Sequence, residues 1–129
     1  MNKKSSVSYL YIAAVLVVVG LIMFAVTKEK APSVYDEFAQ CIKDNGAVMY
    51  GAWWCPHCNN QKELFGNSVS YIDYVECSEP GSRKTNQTCK DAKVEGYPTW
   101  KFKDGTSVSG EQSLEYLGEK TGCELPTIK

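Results

Sequence analysis

The 129-residue sequence has almost no net charge and contains a single histidine. Its 14 basic residues are scattered and nearly balanced by 15 acidic ones, so no basic surface for nucleic acid is implied. Internal repeats and low-complexity tracts are also lacking, which excludes a repeat array. What remains is 43% hydrophobic and 22% charged, an ordinary composition for one small domain.

Six cysteines are many for so short a chain. In a secreted or extracytoplasmic setting this number indicates disulfides, whereas in the cytosol it would indicate metal binding or catalysis. Two of them, in Cys55-Pro56-His57-Cys58, are separated by two residues. That spacing suits both a redox-active disulfide and a pair of zinc ligands, so the flanking residues must decide.

Those flanking residues predict a corner between a strand and a helix. The apolar residues 47–52 are typical of a short buried strand. Pro56 suits the first turn of a helix that continues to Phe65 and ends at Gly66. The positive end of this helix favours a thiolate at its start. Cys55 is therefore the predicted nucleophile, and Cys58 is the thiol that attacks Cys55 to release a bound partner.

The amino-terminal segment predicts a membrane anchor. Lys3 and Lys4 precede an uncharged, mostly apolar run over residues 9–26, nearly as long as the roughly 20 residues that span a bilayer. A cleaved signal peptide starts in the same way, but this run is long for a signal core and no small-x-small cleavage site follows it. We predict a cytosolic segment (residues 1–8), a transmembrane anchor (9–27), a linker (28–33), one thiol-containing domain (34–125) and a C-terminal tail (126–129).

The charges beside the anchor orient it weakly, because lysines flank both of its ends. The number of cysteines favours an oxidising space for the domain. We therefore predict a single-pass protein of the cell membrane, with a cytosolic N-terminus and a periplasmic or equivalent extracytoplasmic domain.

The other elements follow from apolar spacing and turn residues. Ser33 and Asp36 predict a capping box for a helix that ends at Asn45-Gly46, with Val34, Phe38, Cys41 and Ile42 on one face. Further along we predict a strand over residues 69–77, a short helix from Thr85 or Asn86 to Ala92, a hairpin with a two-residue Asp104-Gly105 turn, and a helix over about residues 112–120 ended by Gly122.

A proline precedes a β-like run in Gly96-Tyr97-Pro98-Thr99-Trp100. Proline cannot donate a ladder hydrogen bond, and a cis bond at such a place usually has a purpose. With this segment downstream of Cys55 and Cys58, the sequence resembles the thioredoxin superfamily, in which a cis-proline loop faces the two cysteines and receives the substrate. The resemblance implies that role for Pro98 and Tyr97. It also implies a thioredoxin-like α/β fold, a central mixed sheet flanked by helices.

A narrower resemblance rests on six segments of the chain. These are residues 50–58, Gln61-Lys62, Leu64-Phe65-Gly66, residues 74–78, residues 96–100 and Thr121-Gly122-Cys123. They are similar to the thioredoxin-like domain fused to bacterial vitamin K epoxide reductase homologues, over roughly residues 34–123. The quinone-reducing, multi-helix domain of that family has no counterpart in this sequence. The resemblance therefore implies a separate membrane oxidase of that kind as a partner.

Four cysteines lie outside the motif. The resemblance places a cysteine pair where Cys77 and Cys89 stand, and a disulfide there would hold the polar loop between them. Cys41 and Cys123 are then left over, although four cysteines allow three pairings and sequence does not choose among them. A small buried core residue is an equally good interpretation of Cys41. Electron relay between one of these pairs and Cys55-Cys58 is a further alternative.

The single histidine, His57, lies between the two motif cysteines. A positive or hydrogen-bonding imidazole there would stabilise the Cys55 thiolate and raise the reduction potential, whereas the alternative is an exposed helix residue without a role. Cys-Pro-His-Cys is also the motif of the strongly oxidising DsbA-like proteins, which favours a disulfide donor over a reductase.

Aromatic residues beside the motif predict a place for a client. We expect an apolar ledge for an unfolded protein, with plain core packing as the alternative for each of its members, Trp53, Trp54, Tyr97 and Trp100.

Together these features predict a membrane-anchored thiol–disulfide oxidoreductase without a metal or organic cofactor. It would transfer a disulfide to reduced or misfolded extracytoplasmic proteins and be reoxidised by a vitamin K epoxide reductase-like, quinone-linked partner. One alternative is a reductase or isomerase of the same fold. Others are a zinc-binding module built on Cys55, His57 and Cys58, whose adjacent side chains rarely close a tetrahedral site, and a binding factor, which the intact motif and Pro98 disfavour.

Overall fold

The computed structural model describes residues 3–26 and 32–127, which belong to two separate units. The first unit is helix α1 (Lys3–Val26). Its stretch Val7–Phe24 is long and apolar enough to cross a membrane, a property that it shares with signal sequences. Residues 1–2, 27–31 and 128–129, which include most of the predicted linker and the end of the predicted tail, lie outside the described residues.

The second unit is built around a four-stranded sheet with the strand order β2-β1-β3-β4. Strand β1 pairs in parallel with β2 and antiparallel with β3, and β3 pairs antiparallel with β4. This mixed sheet with flanking helices confirms the predicted thioredoxin-like fold. In chain order the elements are α2 (Asp36–Asp44), β1 (Val48–Gly51), α3 (Pro56–Phe65), a 3-10 helix (Gly66–Tyr71), β2 (Asp73–Glu76), α4 (Gln87–Asp91), β3 (Thr99–Lys101), β4 (Ser107–Ser109) and α5 (Leu114–Thr121).

The predicted ends of α3 and α5 are confirmed. Pro56 is the first residue of α3, where its missing N–H costs no hydrogen bond, and Gly66 ends the helix with a positive φ of 54°. Gly122 ends α5 in the left-handed region, at φ 73°. The hydroxyl of Ser113 begins α5 by accepting the N–H of Tyr116 at 3.1 Å.

The predicted start of α2 is wrong. The helix begins at Asp36, and the Ser33 hydroxyl accepts the N–H of Tyr35 (3.4 Å) in the turn before it. The Asp36 carboxylate accepts the N–H of Ser33 (2.9 Å), so half of the predicted capping box forms. Its other oxygen accepts the hydroxyl of the buried Ser68 (2.7 Å), a contact that no local pattern reveals. Val34, expected on the apolar face, is exposed.

Strand β2 is shorter than the predicted residues 69–77, because Gly66–Tyr71 forms a 3-10 helix. The Ser70 hydroxyl donates to the carbonyl of Asn67 at 3.3 Å, and such local side-chain bonds compete with strand pairing.

The hairpin between β3 and β4 is confirmed, but its predicted two-residue turn is wrong. Hydrogen bonds from Phe102 to Thr106 and from Gly105 to Phe102 enclose a three-residue turn over residues 103–105.

The main core lies between the sheet and helices α2, α3 and α5. Phe65 is fully buried and touches two other aromatic rings, with ring centroids 6.4 Å from Phe38 and 6.2 Å from Trp100. A disulfide between Cys41 and Cys123 joins α2 to the residues that follow α5. Because it closes a loop of 82 residues, the loss of chain entropy in the unfolded state corresponds to about 4–5 kcal/mol of stabilisation.

One buried polar side chain, Gln61 on α3, ties three elements together. Its amide accepts the N–H of Gln112 (2.6 Å) and the indole N–H of Trp100 (3.2 Å), and it donates to the carbonyl of Gln112 (2.9 Å). Gln61 and Trp100 are both fully buried. A buried amide with this many partners stabilises the fold only as long as every partner stays satisfied.

We therefore expect Gln61→Met to destabilise the domain by about 2–4 kcal/mol, because it leaves the backbone groups of the half-buried Gln112 and the buried indole of Trp100 without their partner. Urea unfolding followed by fluorescence measures this free energy. Asn59→Met, at an exposed position of the same helix, should change it by less than about 0.5 kcal/mol. Equal stability of the two variants would contradict the role of Gln61.

Candidate functional site

Cys55 lies at the amino end of α3, as its N-cap residue. The residue is 5% exposed, and its Sγ faces the carbonyl oxygen of Tyr97 at 3.7 Å. The bond between Tyr97 and the buried Pro98 is cis. The structure thus brings together the predicted nucleophile and the predicted cis-proline loop.

Cys58, one turn further along α3, is fully buried. Burial raises the pKa of its thiol to about 12, and the neighbouring Cys55 adds to that rise, whereas the backbone of Ala52 and the charge of Lys62 oppose it. Gly51 on β1 leaves room for the sulfur, because a Cβ at this position would stand 2.9 Å from Cys58 Sγ. At neutral pH Cys58 is therefore a protonated thiol.

Two polar side chains of β2, Tyr74 and Glu76, border this buried thiol. The Tyr74 hydroxyl donates to Glu76 at 2.8 Å, and burial together with this carboxylate raises the pKa of Tyr74. Burial also acts to raise the pKa of Glu76, but hydrogen bonds from Ser78, Tyr74 and Trp53 outweigh it and leave that pKa lowered. Lys62 lies over the Tyr74 ring, with Nζ 3.5 Å from the centroid.

Glu76 is thus an ionised carboxylate whose contacts reach Trp53, two residues before the redox motif. It accepts the backbone N–H of Trp53 (3.2 Å) and that of Ser78 (2.9 Å). Sequence reasoning missed Tyr74 and Glu76 as site residues. Their alternation on one strand was visible, but nothing local showed that this strand would lie beside Cys58.

His57 does not have Cys55 as its hydrogen-bond partner in the structure. Its Nδ1 lies 2.6 Å from Oε1 of Glu111, in the segment before α5, and the amide of Asn60 donates to the same oxygen at 3.2 Å. These two contacts, that of His57 above all, lower the pKa of the Glu111 carboxyl. Glu111 is a second residue that sequence reasoning missed, because it lies 54 positions from His57 along the chain.

The aromatic residues proposed as a client ledge are divided between surface and core. Trp53 is 56% exposed, while Trp54 is half-buried and meets the Tyr97 ring edge-on at 6.1 Å. The guanidinium of Arg83 lies over the Trp54 ring, with its Cζ 5.5 Å from the ring centroid. Trp100 is fully buried, which agrees with the core-packing alternative for this residue.

The second disulfide, between Cys77 and Cys89, joins the end of β2 to α4. Both residues are fully buried in a small separate cluster with Val94. With Cys41 and Cys123 also paired, Cys55 and Cys58 are the two free thiols of the described residues. Within the described residues, free thiols for thiol–disulfide exchange are therefore present at the motif alone.

The described residues offer no group of three or more His, Cys, Asp and Glu side chains that could hold a metal ion. The zinc-binding alternative thus has no ligand set in residues 3–26 and 32–127. The His57 imidazole, which that alternative would use as a ligand, is hydrogen-bonded to Glu111.

Comparison with known proteins finds relatives that match two thirds of the chain. The chain is 44% identical over 91 residues to a protein of Arabidopsis thaliana named thiol-disulfide oxidoreductase LTO1, and 29% identical over 91 residues to a protein of Neurospora crassa named protein disulfide-isomerase erp38. Each match covers 67% of this chain and 24% of the relative. No protein-family model matches the sequence.

The chain therefore spans about a quarter of the length of these relatives. Both of them are named for thiol–disulfide chemistry, and the fold and the free cysteine pair of this chain agree with those names. Taken together, these observations support a thioredoxin-like oxidoreductase.

The two thiols should differ in reactivity towards iodoacetamide. The pKa of Cys58 is raised to about 12, so its reactive thiolate is scarce at pH 8 and becomes abundant only as the pH approaches that value. We expect one adduct per reduced molecule at pH 8, on Cys55, and a second only after unfolding, as measured by mass spectrometry. Cys55→Ala should give no adduct under the same conditions. Equal rates at the two thiols would contradict this.

Gly51 should not tolerate a side chain. The Cβ of Gly51→Ala would stand 2.9 Å from both Cys58 Sγ and Tyr74 Cε2, so we expect a loss of about 1–3 kcal/mol from overpacking. Gly96→Ala is the matched control, because no other described atom lies within 4 Å of its added Cβ. Thermal unfolding of both variants measures the difference, and a loss as large in Gly96→Ala would show that the contact at Cys58 is not its cause.

Proposed function

We propose that this chain is a membrane-anchored thiol–disulfide oxidoreductase that transfers a disulfide to extracytoplasmic client proteins. The observation that carries the proposal is the placement of Cys55, which stands at the start of α3 with its sulfur against the Tyr97 carbonyl and with Cys58 buried behind it. A nucleophile at a helix start, a protonated second thiol and an adjoining cis-proline loop are parts that suit such an exchange.

The oxidising reaction begins with a disulfide between Cys55 and Cys58. A client thiolate attacks Cys55 Sγ, the bond between the two motif sulfurs breaks, and Cys58 leaves and takes up a proton. A second client thiolate then attacks the client sulfur in this mixed disulfide and displaces the Cys55 thiolate. Two electrons have moved from the client to the motif, and the client carries the new disulfide.

Reoxidation reverses the direction of attack. The Cys55 thiolate attacks a disulfide of the oxidising partner, and Cys58, after losing its proton, attacks Cys55 Sγ and releases the partner as a dithiol. We propose that this partner is a vitamin K epoxide reductase-like, quinone-linked membrane protein, as the resemblance of the motif segments implies. A membrane partner would suit a chain whose first helix is apolar enough to lie in the same bilayer.

The client would dock on Trp53, Trp54 and Tyr97, beside Pro98. Trp53 offers exposed apolar surface within two residues of the nucleophile.

The Cys41–Cys123 and Cys77–Cys89 disulfides favour an oxidising compartment, and so a cytosolic N-terminus with the domain in the periplasm or its equivalent.

A reductase or isomerase of the same fold is the second candidate. It is favoured by the Neurospora relative, whose name is that of a disulfide isomerase. The two candidates share every residue of the site and differ in the reduction potential of the motif, because the potential sets which form persists in a given compartment.

The potential should therefore be measured on the full chain in detergent, by equilibration with glutathione, alkylation and mass analysis of the peptide that holds Cys55 and Cys58. We expect a value near or above that of protein disulfide isomerase, about −180 mV. A value near that of thioredoxin, about −270 mV, would contradict the disulfide donor and support electron delivery to clients.

A further inference from the structure

The segment before α5 is held against α3 by a built contact. Both backbone groups of Gln112 are bonded to the buried amide of Gln61, at 2.6 and 2.9 Å, and that amide is itself fixed by the indole of Trp100. The neighbouring Glu111 is thereby kept beside the first turns of α3. It is not a freely moving surface carboxylate.

On α3 this carboxylate meets two side chains that share a face, His57 and Asn60. Its Oε1 lies 2.6 Å from Nδ1 of His57 and accepts the amide of Asn60 at 3.2 Å. His57 directly precedes Cys58 and lies two positions after Cys55, so its imidazole is the basic side chain nearest to the motif cysteines along the chain. Glu111 thus engages Nδ1 of the imidazole, and that nitrogen is not available to Cys55.

We propose that Glu111 is a positioning residue that lowers the reduction potential of Cys55-Cys58 by holding His57. The carboxylate offsets the positive charge of the imidazolium and keeps its Nδ1–H away from Cys55. A thiolate with less positive charge around it is less stable, so the reduced form of the motif is favoured less. This inference rests on the proposed function and adds the residue that sets how strongly the site oxidises.

The sign of the effect follows directly. Replacement by Glu111→Gln removes one negative charge near α3 and replaces a charge-assisted hydrogen bond to the imidazole by a weaker neutral one, which leaves the imidazole N–H more available to the Cys55 thiolate. Both changes stabilise the reduced form, so the potential rises. We expect the equilibrium constant for reduction by glutathione to increase about fivefold, which is about 20 mV because a tenfold change is about 30 mV for this two-electron couple.

A double-mutant cycle on the full chain in detergent tests the route of this effect. The four proteins are the parent, Glu111→Gln, His57→Ala and the double variant, each equilibrated with glutathione at pH 6, where most unpaired imidazoles are charged. If Glu111 acts through His57, the same substitution should change the constant less than twofold in the His57→Ala background. Glu119→Gln, which removes an equal charge from an exposed position on α5, should leave the constant unchanged.

Two outcomes would overturn the proposal. One is a Glu111→Gln constant equal to that of Glu119→Gln, and the other is an equal shift with and without His57, which would mean a direct effect of charge on Cys55. The proposed function fails on a different observation, a low potential in the parent protein. The difference among the variants decides the role of Glu111 whichever potential the parent has.

Discussion

The site depends on a polar crosslink inside the core, the amide of Gln61. Its partners come from β3 and from the segment before α5, while Gln61 itself belongs to the helix that carries the motif. The distance between that helix and the cis-proline loop, which leads directly into β3, is therefore fixed by hydrogen bonds as well as by apolar packing. Apolar contacts alone are non-directional and would allow α3 to slide, whereas a buried amide accepts one arrangement.

Helix geometry explains why two identical side chains have different roles. Cys55 is the N-cap residue of α3 and lies where the chain leaves the sheet, so its sulfur reaches the Tyr97 carbonyl. Cys58 is one turn further on, which brings it to the same side but beneath Gly51 and the β2 side chains. Burial then raises the pKa of Cys58, because a thiolate there would lose its solvation. One turn of helix thus separates the sulfur that faces the cis-proline loop from the fully buried one.

The sequence predicted best those features whose cause is local. Pro56 and Gly66 bound α3 by their own backbone preferences, and the motif cysteines follow from that helix. The features that it left open or missed have causes far away in the chain. Trp100 lies in the core, on the inner strand β3, where its indole bonds to Gln61, 39 positions away. At the start of α2 the Asp36 carboxylate accepts the hydroxyl of Ser68. No local sequence pattern marks Glu111 as a site residue, since its contact with His57 forms only when the fold brings the two residues together.

The loop disulfide and the redox motif are linked through Glu76. Cys77 directly follows Glu76 on β2, and the Asn86 side chain, at the start of α4, donates to the Glu76 carbonyl at 2.7 Å. The bond between Cys77 and Cys89 therefore holds the end of the strand whose carboxylate bonds Tyr74 and the N–H of Trp53. That carboxylate needs all of its donors to remain ionised in a half-buried place. A disulfide outside the motif thus helps to keep the surroundings of Cys58 and the exposed Trp53 in one arrangement.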